Sequence, residues 1–308
     1  MFVRIEPAHV IEIGLGLSRT PARVAFKRNT GQNNHFLITV VVGLDAVRVG
    51  EAKLAPEFST SWSPTDVSRS AIRSREYALV TSLAWITDLV DVYRKRLQVM
   101  RSVMSDTGSK RIDKIDGRAN RLSELASVLG LPRDDRNLLM MLLATRWRNT
   151  IVHSDADTRI GRDLRSRLLN SAQDISLEHR GLDISRSIES FERGDAPTFK
   201  EVASIIAAGQ QLVEALDVRA VTMMDVEHYA ESTLNTHLSA AFTLNAQVYA
   251  QYWSGNQAKT QKRLTALLAQ LGFTRGDALS QLSPEYLNST STLTARAARA
   301  RFSPLEGP

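Results

Sequence analysis

Residues 67–104 read VSRSAIRSREYALVTSLAWITDLVDVYRKRLQVMRSVM, and this stretch decides the fold class of the chain. It contains neither glycine nor proline, the two residues that most often interrupt a helix. Its apolar side chains recur at helical rather than alternating spacing, at Ala78, Val80, Leu83, Trp85, Ile86, Leu89, Val90, Tyr93 and Leu97. The pattern predicts one long helix, with Asp66 or Ser68 as its N-cap, in a mainly α protein.

Further helices are expected on the C-terminal side of this stretch. A loop at 105–110 ends the long helix, and a shorter helix at 118–129 is closed by Gly130 and Pro132. A third helix is expected from Arg133 to His153, with two aspartates in its first turn. Helical patterns continue at 158–177, 183–193, 198–215, 218–252, 256–271 and 275–281.

The first sixty residues have a different character. Residues 36–43 and 45–49 are rich in β-branched side chains and are followed by Gly43, Gly50 and Pro56, which is typical of strands. Weaker strand candidates lie at 1–5 and 10–13, and residues 31–34 are predicted to form a turn.

The predicted organisation is a helical bundle flanked by two other regions. We expect a small β-rich N-terminal region at 1–62, the bundle at 63–180, and a helical C-terminal extension at 181–308. The extension ends in a basic tail, Arg296 to Arg301, that is expected to be frayed or to form a basic arm.

Composition limits the class of protein. The chain has 308 residues, of which 43% are hydrophobic and 23% charged, which is typical of a folded globular protein. It has no cysteine, so disulfides, thiolate zinc sites and thiol nucleophiles are excluded. Charged residues interrupt the N-terminus, and the apolar runs are shorter than the roughly 20 residues that span a bilayer. We expect a soluble, cytoplasmic protein that does not enter membranes.

The charge and the known motifs narrow the function further. A net charge of +6 suits an anionic partner such as nucleic acid, although a solvated basic surface is an equally good explanation of the charge alone. No phosphate-binding glycine loop is present, and the six histidines show no paired metal-ligand spacing. We therefore expect no cofactor and no metal, and we interpret His228 and His237 as surface or packing residues.

The segment Arg148-Asn149-Thr150-Ile151-Val152-His153 is the best candidate for chemistry. His153 can act as general acid or base near neutral pH, and Arg148 offers a fixed positive fork to a phosphate. RNA brings its own nucleophile, the 2′-OH, so an RNA-cleaving enzyme needs little more. On an ideal helix Asn149 and His153 share a face, whereas Arg148 and His153 diverge by about 140°. The two side chains can meet in three ways: the Arg148 side chain bends around the helix towards His153, the helix ends at the motif, or Arg148 and His153 come from two copies across a two-fold interface.

This segment resembles the motif of the HEPN family, in which an arginine precedes a histidine by a short spacer and a polar residue follows the arginine. HEPN domains are helical bundles with the motif at the end of a core helix, and the resemblance covers about residues 67–180. It implies a homodimer with a composite cleft, in which two motifs cut RNA without metal to leave a 2′,3′-cyclic phosphate and a 5′-hydroxyl. Catalytic roles then fall to Arg148, Asn149 and His153.

The resemblance also implies a setting for the activity. HEPN ribonucleases act in antiviral defence or stress responses, some as toxins, and a regulatory or inhibitory protein partner can hold such an enzyme inactive. Ser154 and Asp155 follow His153, so the tyrosine that one toxin subgroup carries two residues after its histidine is absent. Membership of that toxin-antitoxin subgroup is therefore in doubt.

Other side chains near the motif receive expected roles. Four arginines are expected to guide the RNA backbone, with a solvated helical face as the alternative: Arg146, Arg159, Arg162 and Arg165. By the same resemblance, Asp88 or Asp91 on the first long helix fixes Arg148 or His153. Trp147 continues the apolar row from Leu143 and is expected in the core.

A second class of function remains open. Arg148 and His153 also suit the C-terminal end of a helix, where positive groups meet free carbonyls. The chain would then be a catalytically inactive helical dimerisation or nucleic-acid-binding scaffold. The two hypotheses differ in whether Arg148 and His153 converge on an open, basic cleft.

Overall fold

The chain folds as a mainly helical protein with a small sheet, as the sequence predicts. The computed structural model describes residues 14–52, 64–152, 159–245 and 247–302, which contain fourteen helices and three short strands. The chain divides into a larger compact unit, 21–100 with 104–219, and a smaller one, 1–20 with 101–103 and 220–308. The boundary expected near 62 lies outside the described residues, and the one expected near 180 stays a prediction. None of the helices in these described ranges has the length and apolar character needed to cross a membrane.

The larger unit contains helices α1 to α8 and most of α9. Their bounds are α1 Pro21–Arg48, α2 Val67–Gln98, α3 Asp106–Asp113, α4 Arg118–Val128, α5 Arg136–Val152, α6 Arg162–Asn170, α7 Ala172–Glu178, α8 Ile184–Glu192 and α9 Phe199–Met223. Asp66 caps α2 by accepting the backbone N–H of Arg69 at 2.9 Å. Leu83, Ile86 and Leu97 of α2 are completely buried, and α2 packs against α1, α4 and α5. The long helix read from the sequence is thus the centre of this unit.

The strands predicted at 36–43 and 45–49, and the turn at 31–34, are wrong, because all of these residues except Val49 lie within α1. The residues that α1 buries recur at helical spacing, at Ala22, Phe26, Thr30, Asn33, Leu37 and Val41. The alternating apolar side chains that suggested a strand are largely exposed, at Phe36, Ile38, Val40 and Val42. Packing of α1 along α2 therefore outweighs the local β propensity. The weaker strand candidates at 1–5 and 10–13 lie outside the described residues.

Several helix boundaries also differ from the prediction. Helix α3 lies in the expected loop, where the Ser105 hydroxyl accepts the N–H of Gly108 at 3.2 Å and caps the helix. The helix expected at 158–177 is divided into α6 and α7 at Ser171. The break expected near 216 lies instead at 224–225, because α9 extends to Met223.

The described part of the smaller unit contains five helices and the sheet. Its helices are α10 Val226–Leu244, α11 Val248–Tyr252, α12 Gln257–Gln270, α13 Pro284–Ser291 and α14 Ala295–Phe302, and its strands are β1 Leu15–Leu17, β2 Thr274–Arg275 and β3 Ser280–Gln281. Strand β1 is central and antiparallel to both others, with Gly16 opposite Thr274 on one side and Gln281 on the other. A helix expected at 275–281 is therefore wrong: these residues belong to the strand pair and its connection.

The basic tail is also different from the prediction, because its described part is helix α14 and not a frayed arm. Phe302 is fully buried, its ring lies 5.7 Å from that of Trp253, and its carbonyl accepts the Tyr249 hydroxyl at 3.0 Å. Arg301 pairs with Glu231. Burial of the aromatic ring and this ion pair hold the tail against the unit as far as residue 302.

Gly16 allows the connection between β2 and β3 to pass close to β1. A Cβ at Gly16 would lie 2.1 Å from the carbonyl oxygen of Ser280 and 2.8 Å from Cβ of Ala278. We expect Gly16→Val to lower the free energy of unfolding by up to about 3 kcal/mol, measured by urea denaturation. Gly31→Ala in α1 is the control, because nothing lies within 4 Å of the added Cβ and alanine favours a helix. Equal stability of the two variants would contradict this account.

Candidate functional site

Helix α5 carries the motif at its C-terminal end, as the sequence predicts for Arg148 and Asn149. The helix begins after Asp135, whose side chain accepts the N–H of Leu138 at 2.9 Å. His153 follows the last residue of α5 and lies outside the described residues. The structure therefore places Arg148 and Asn149, two of the three expected catalytic residues, on one turn near the end of α5.

A buried apolar row fixes α5 in the larger unit. Residues 138–144 are all buried, and Trp147 is only 1% exposed. The Trp147 ring meets Phe191 edge-on at 6.0 Å, and its Nε1–H donates to the carbonyl of Asp195 at 3.2 Å. Trp147 is thus a core residue, as predicted. This packing determines which side of α5 Arg148 occupies.

Arg148 lies against a carboxylate of α2. Its Nε is 3.7 Å from Oδ1 of Asp88, and its NH1 donates to Oδ1 of Asn149 at 3.5 Å. Arg118, the first residue of α4, also pairs with Asp88. The prediction that an acid of α2 fixes Arg148 is confirmed for Asp88, whereas Asp91 pairs with arginine and lysine of its own helix.

This cluster of Arg118, Arg148 and Asp88 has two positive groups on one negative group. The Arg148 side chain is 13% exposed, and its Nε is buried without a hydrogen-bond partner. Asp88 is 47% exposed, so the ion pairs contribute little to stability, on the order of 0–1 kcal/mol. The surplus positive charge suits a phosphate. Arg118 was not predicted from the sequence, because no spacing connects it with Arg148.

Arg146 faces a different side of α5. It lines a cavity of about 510 Å³ between α4, α5 and α6, together with Arg133 and Arg167. Arg133 and Arg167 both pair with Asp163, whereas Nε of Arg146 is buried without a hydrogen-bond partner. Side chains two residues apart on a helix point about 200° apart around its axis. Arg146 and Arg148 therefore do not share a surface.

The other three arginines expected to guide RNA do not form one free basic face. NH1 of Arg165 donates to both carboxylate oxygens of Glu192, at 2.5 and 2.6 Å. These hydrogen bonds and the negative charge of Glu192 raise the pKa of Arg165. In this structure Glu192 occupies the Arg165 guanidinium, and the role of Arg165 in guiding RNA stays a prediction. Arg162 is exposed at the start of α6, and Arg159 is exposed just before it.

Within the described ranges, no group of three histidine, aspartate or glutamate side chains is arranged to hold a metal ion. The arrangement that does exist consists of two guanidinium groups, the carboxylate of Asp88 and the amide of Asn149. Guanidinium and amide groups can bind and orient a phosphate, and they can stabilise charge that grows on it. They do not move a proton, which makes His153 the expected proton-transfer group.

A different histidine is buried at the other end of α5. His179 follows α7, is 3% exposed, and has a buried Nε2 without a hydrogen-bond partner. Burial lowers the pKa of His179, opposed by the charge of Glu178 and supported by that of Arg136, which pairs with Glu178. The native state therefore disfavours the protonated imidazole.

The pH dependence of stability follows from this lowered pKa. The unfolded chain binds the proton more readily than the folded chain does. The free energy of unfolding therefore decreases as the pH falls from the ordinary pKa of 6.5 through the lower pKa of the folded state. We expect urea denaturation of His179→Gln to show a smaller loss of stability over this range than the wild type. His228→Gln changes an exposed histidine and is expected to keep the wild-type dependence. Identical pH profiles for His179→Gln and wild type would rule out this role.

Comparison of the chain with models of known protein families, with curated proteins and with solved structures finds no match. The residues and contacts given above therefore carry the functional proposal.

Proposed function

We propose that this chain is a metal-independent endoribonuclease of HEPN type, with Arg148, Asn149 and His153 as its catalytic residues. One observation carries the proposal: Asp88 lies against Arg148 at the end of a buried helix, next to Asn149, where a histidine follows at the motif spacing. An arginine whose Nε lies against a carboxylate is suited to bind a phosphodiester with its remaining N–H donors.

The proposed reaction uses the 2′-OH of RNA as nucleophile. Its oxygen forms a bond to the adjacent phosphorus, the bond from phosphorus to the 5′-oxygen breaks, and a 2′,3′-cyclic phosphate and a 5′-hydroxyl result. The proton lost by the 2′-OH and the proton gained by the 5′-oxygen pass through His153. Arg148, supported by Arg118, stabilises the charge that grows on the phosphate, and Asn149 orients His153.

A second copy of the chain is part of the proposal. Arg148 and His153 are five residues apart, and side chains at that spacing on a helix diverge by about 140°. A homodimer with two motifs face to face supplies an arginine and a histidine to one cleft. By resemblance alone, we place the activity in the cytoplasm, in antiviral defence or a stress response, and under the control of a regulatory or inhibitory protein partner.

The second candidate function is a catalytically inactive helical scaffold for dimerisation or nucleic-acid binding. The observation that favours it is the low exposure of the Arg148 side chain, 13%, and its contact with Asp88. An arginine with a purely structural role has the same contacts. If the chain is a scaffold, RNA remains intact, so a cleavage assay distinguishes the two candidate functions.

The reaction type is tested with an end-labelled RNA and the same RNA carrying a single 2′-deoxy nucleotide at a mapped cleavage position. We expect cleavage in EDTA, a cyclic phosphate at the 3′ end of the upstream product, and loss of cleavage at the deoxy position only. Products that end in a 3′-hydroxyl and a 5′-phosphate, or cleavage at the deoxy position, would exclude attack by the 2′-OH.

A further inference from the structure

The smaller unit contains two helices joined by a tight turn. Helix α11 is followed by four residues, 253–256, and then by α12. Gly255 in this turn has φ +80°, a conformation that favours glycine, and Trp253 is buried beneath it at 3% exposure. Asn256 caps α12 by accepting the N–H of Lys259 at 3.0 Å. Two helices connected by a short turn that contains glycine are the elements of a helix-turn-helix.

Contacts across the turn hold the two helices together. The guanidinium of Arg263 in α12 donates to the carbonyl of Gln251 in α11. The ring of Trp253 stacks on Tyr249 of α11 at 6.1 Å, and its Nε1–H donates to the carbonyl of Thr290 at 2.9 Å. Arg263 therefore joins the two helices directly, and Trp253 connects the turn with α11 and α13.

Helix α12 has one buried face and one open face. The buried face is formed by Thr260, Leu264, Leu267 and Leu268. The side chains opposite it are exposed, and they are either small or basic: Ala258, Lys259, Lys262, Ala266 and Ala269. Within the described chain, no hydrogen bond or ion pair engages the ammonium groups of these two lysines. A narrow helix face with free ammonium groups can approach a polyanion closely.

The chain from α11 to α14 carries an excess of basic residues. Residues 248–302 contain seven lysines and arginines and only two acidic residues, Asp277 and Glu285. Arg275, which follows α12 in β2, and Arg296, in α14, are both exposed. A concentration of positive charge around an exposed helix is the electrostatic signature of nucleic-acid binding.

We infer that the smaller unit binds double-stranded DNA, with the Ala258, Lys259, Lys262, Ala266 and Ala269 face of α12 in the major groove. The major groove of B-DNA is about 12 Å wide and admits an α-helix, whereas the major groove of A-form RNA is too narrow for side chains to read. This function goes beyond the ribonuclease proposal and does not depend on it.

The test is binding of the full-length protein to a short random-sequence DNA duplex at low salt, followed by fluorescence anisotropy. The test variant is Lys259→Glu/Lys262→Glu. The control variant is Lys110→Glu/Lys114→Glu, in which the exposed lysines lie in α3 and at its C-cap and the net charge changes by the same amount. We expect the wild type to bind, the first variant to lose at least about tenfold in affinity, and the control to bind like the wild type. The slope of log affinity against log salt should decrease by about 2 in the first variant.

Other outcomes would overturn the inference. These outcomes are that the wild type fails to bind duplex DNA, that both variants lose affinity equally, or that single-stranded RNA displaces the labelled duplex more strongly than unlabelled duplex DNA does. DNA lacks the 2′-OH that the proposed ribonuclease reaction needs, so DNA binding is measured independently of RNA cleavage, and failure of the ribonuclease proposal leaves this result unaffected. Circular dichroism of each variant shows whether the helices remain folded.

Discussion

Arg148→Ala is expected to lower the rate of RNA cleavage by about 10²–10³-fold, the usual effect of removing a donor that stabilises charge in a transition state. The loss should appear mainly in kcat, because the phosphate gains charge only as the reaction proceeds. Arg148→Lys keeps the charge but loses the planar fork, so we expect only partial recovery. Initial rates in EDTA over a range of RNA concentrations measure both effects.

The same substitution should have little effect on stability. Asp88 keeps its pair with Arg118 when Arg148 is removed, and its side chain is 47% exposed. Arg73→Ala on the exposed side of α2 is the control, and it should retain the wild-type rate. A rate loss in Arg148→Ala that matches a loss of folded protein would assign Arg148 a structural role only.

Asp91→Leu is expected to lower the free energy of unfolding by about 3–5 kcal/mol, because it leaves the buried charge of Arg94 without its partner. The Arg94 side chain is 1% exposed, its Nε donates to Oδ1 of Asp91 at 2.8 Å, and its NH1 donates to Gln98 at 2.5 Å. Burial raises the pKa of Asp91, but the hydrogen bond and charge of Arg94, with Lys95, outweigh burial and hold it below its ordinary value. Urea denaturation measures the change in stability.

A double variant and an exposed pair serve as controls for this prediction. Asp91→Leu/Arg94→Met replaces both charges with apolar groups and should recover most of the lost stability. Asp45→Ala removes an exposed acid that lies 3.6 Å from Arg48 and 4.0 Å from Arg75, and it should cost less than about 1 kcal/mol. If Asp91→Leu costs no more than Asp45→Ala, the buried pair does not have the assigned role.

Helices with regular apolar spacing and clear caps could be predicted from the sequence. Asp66 before α2 and Gly130 after α4 mark their helices correctly, and the bounds of α5 and α12 were close. Helix α1 was missed because its run of β-branched residues favours a strand locally. Only the packing of α1 along α2, a contact between distant parts of the chain, determines that this segment is helical.

The candidate site shows the same limit. The position of Arg148 and Asn149 at a helix end, and the acid from α2, could be predicted because both depend on local spacing and on a known family pattern. The pairing of Arg118 with Asp88, and that of Arg165 with Glu192, could not be predicted. These partners are 30 and 27 residues apart, and which arginine meets which acid is determined by how the helices pack.

Incubation of RNA in EDTA with the wild type and with His153→Ala is the most direct test of the central claim that this chain cuts RNA at its motif. The account predicts that the wild type cleaves without metal and that His153→Ala loses about 10²–10⁴-fold in rate, the usual contribution of a general acid or base. RNA that remains intact with folded wild-type protein, or a His153→Ala variant that cleaves at the wild-type rate, would contradict it.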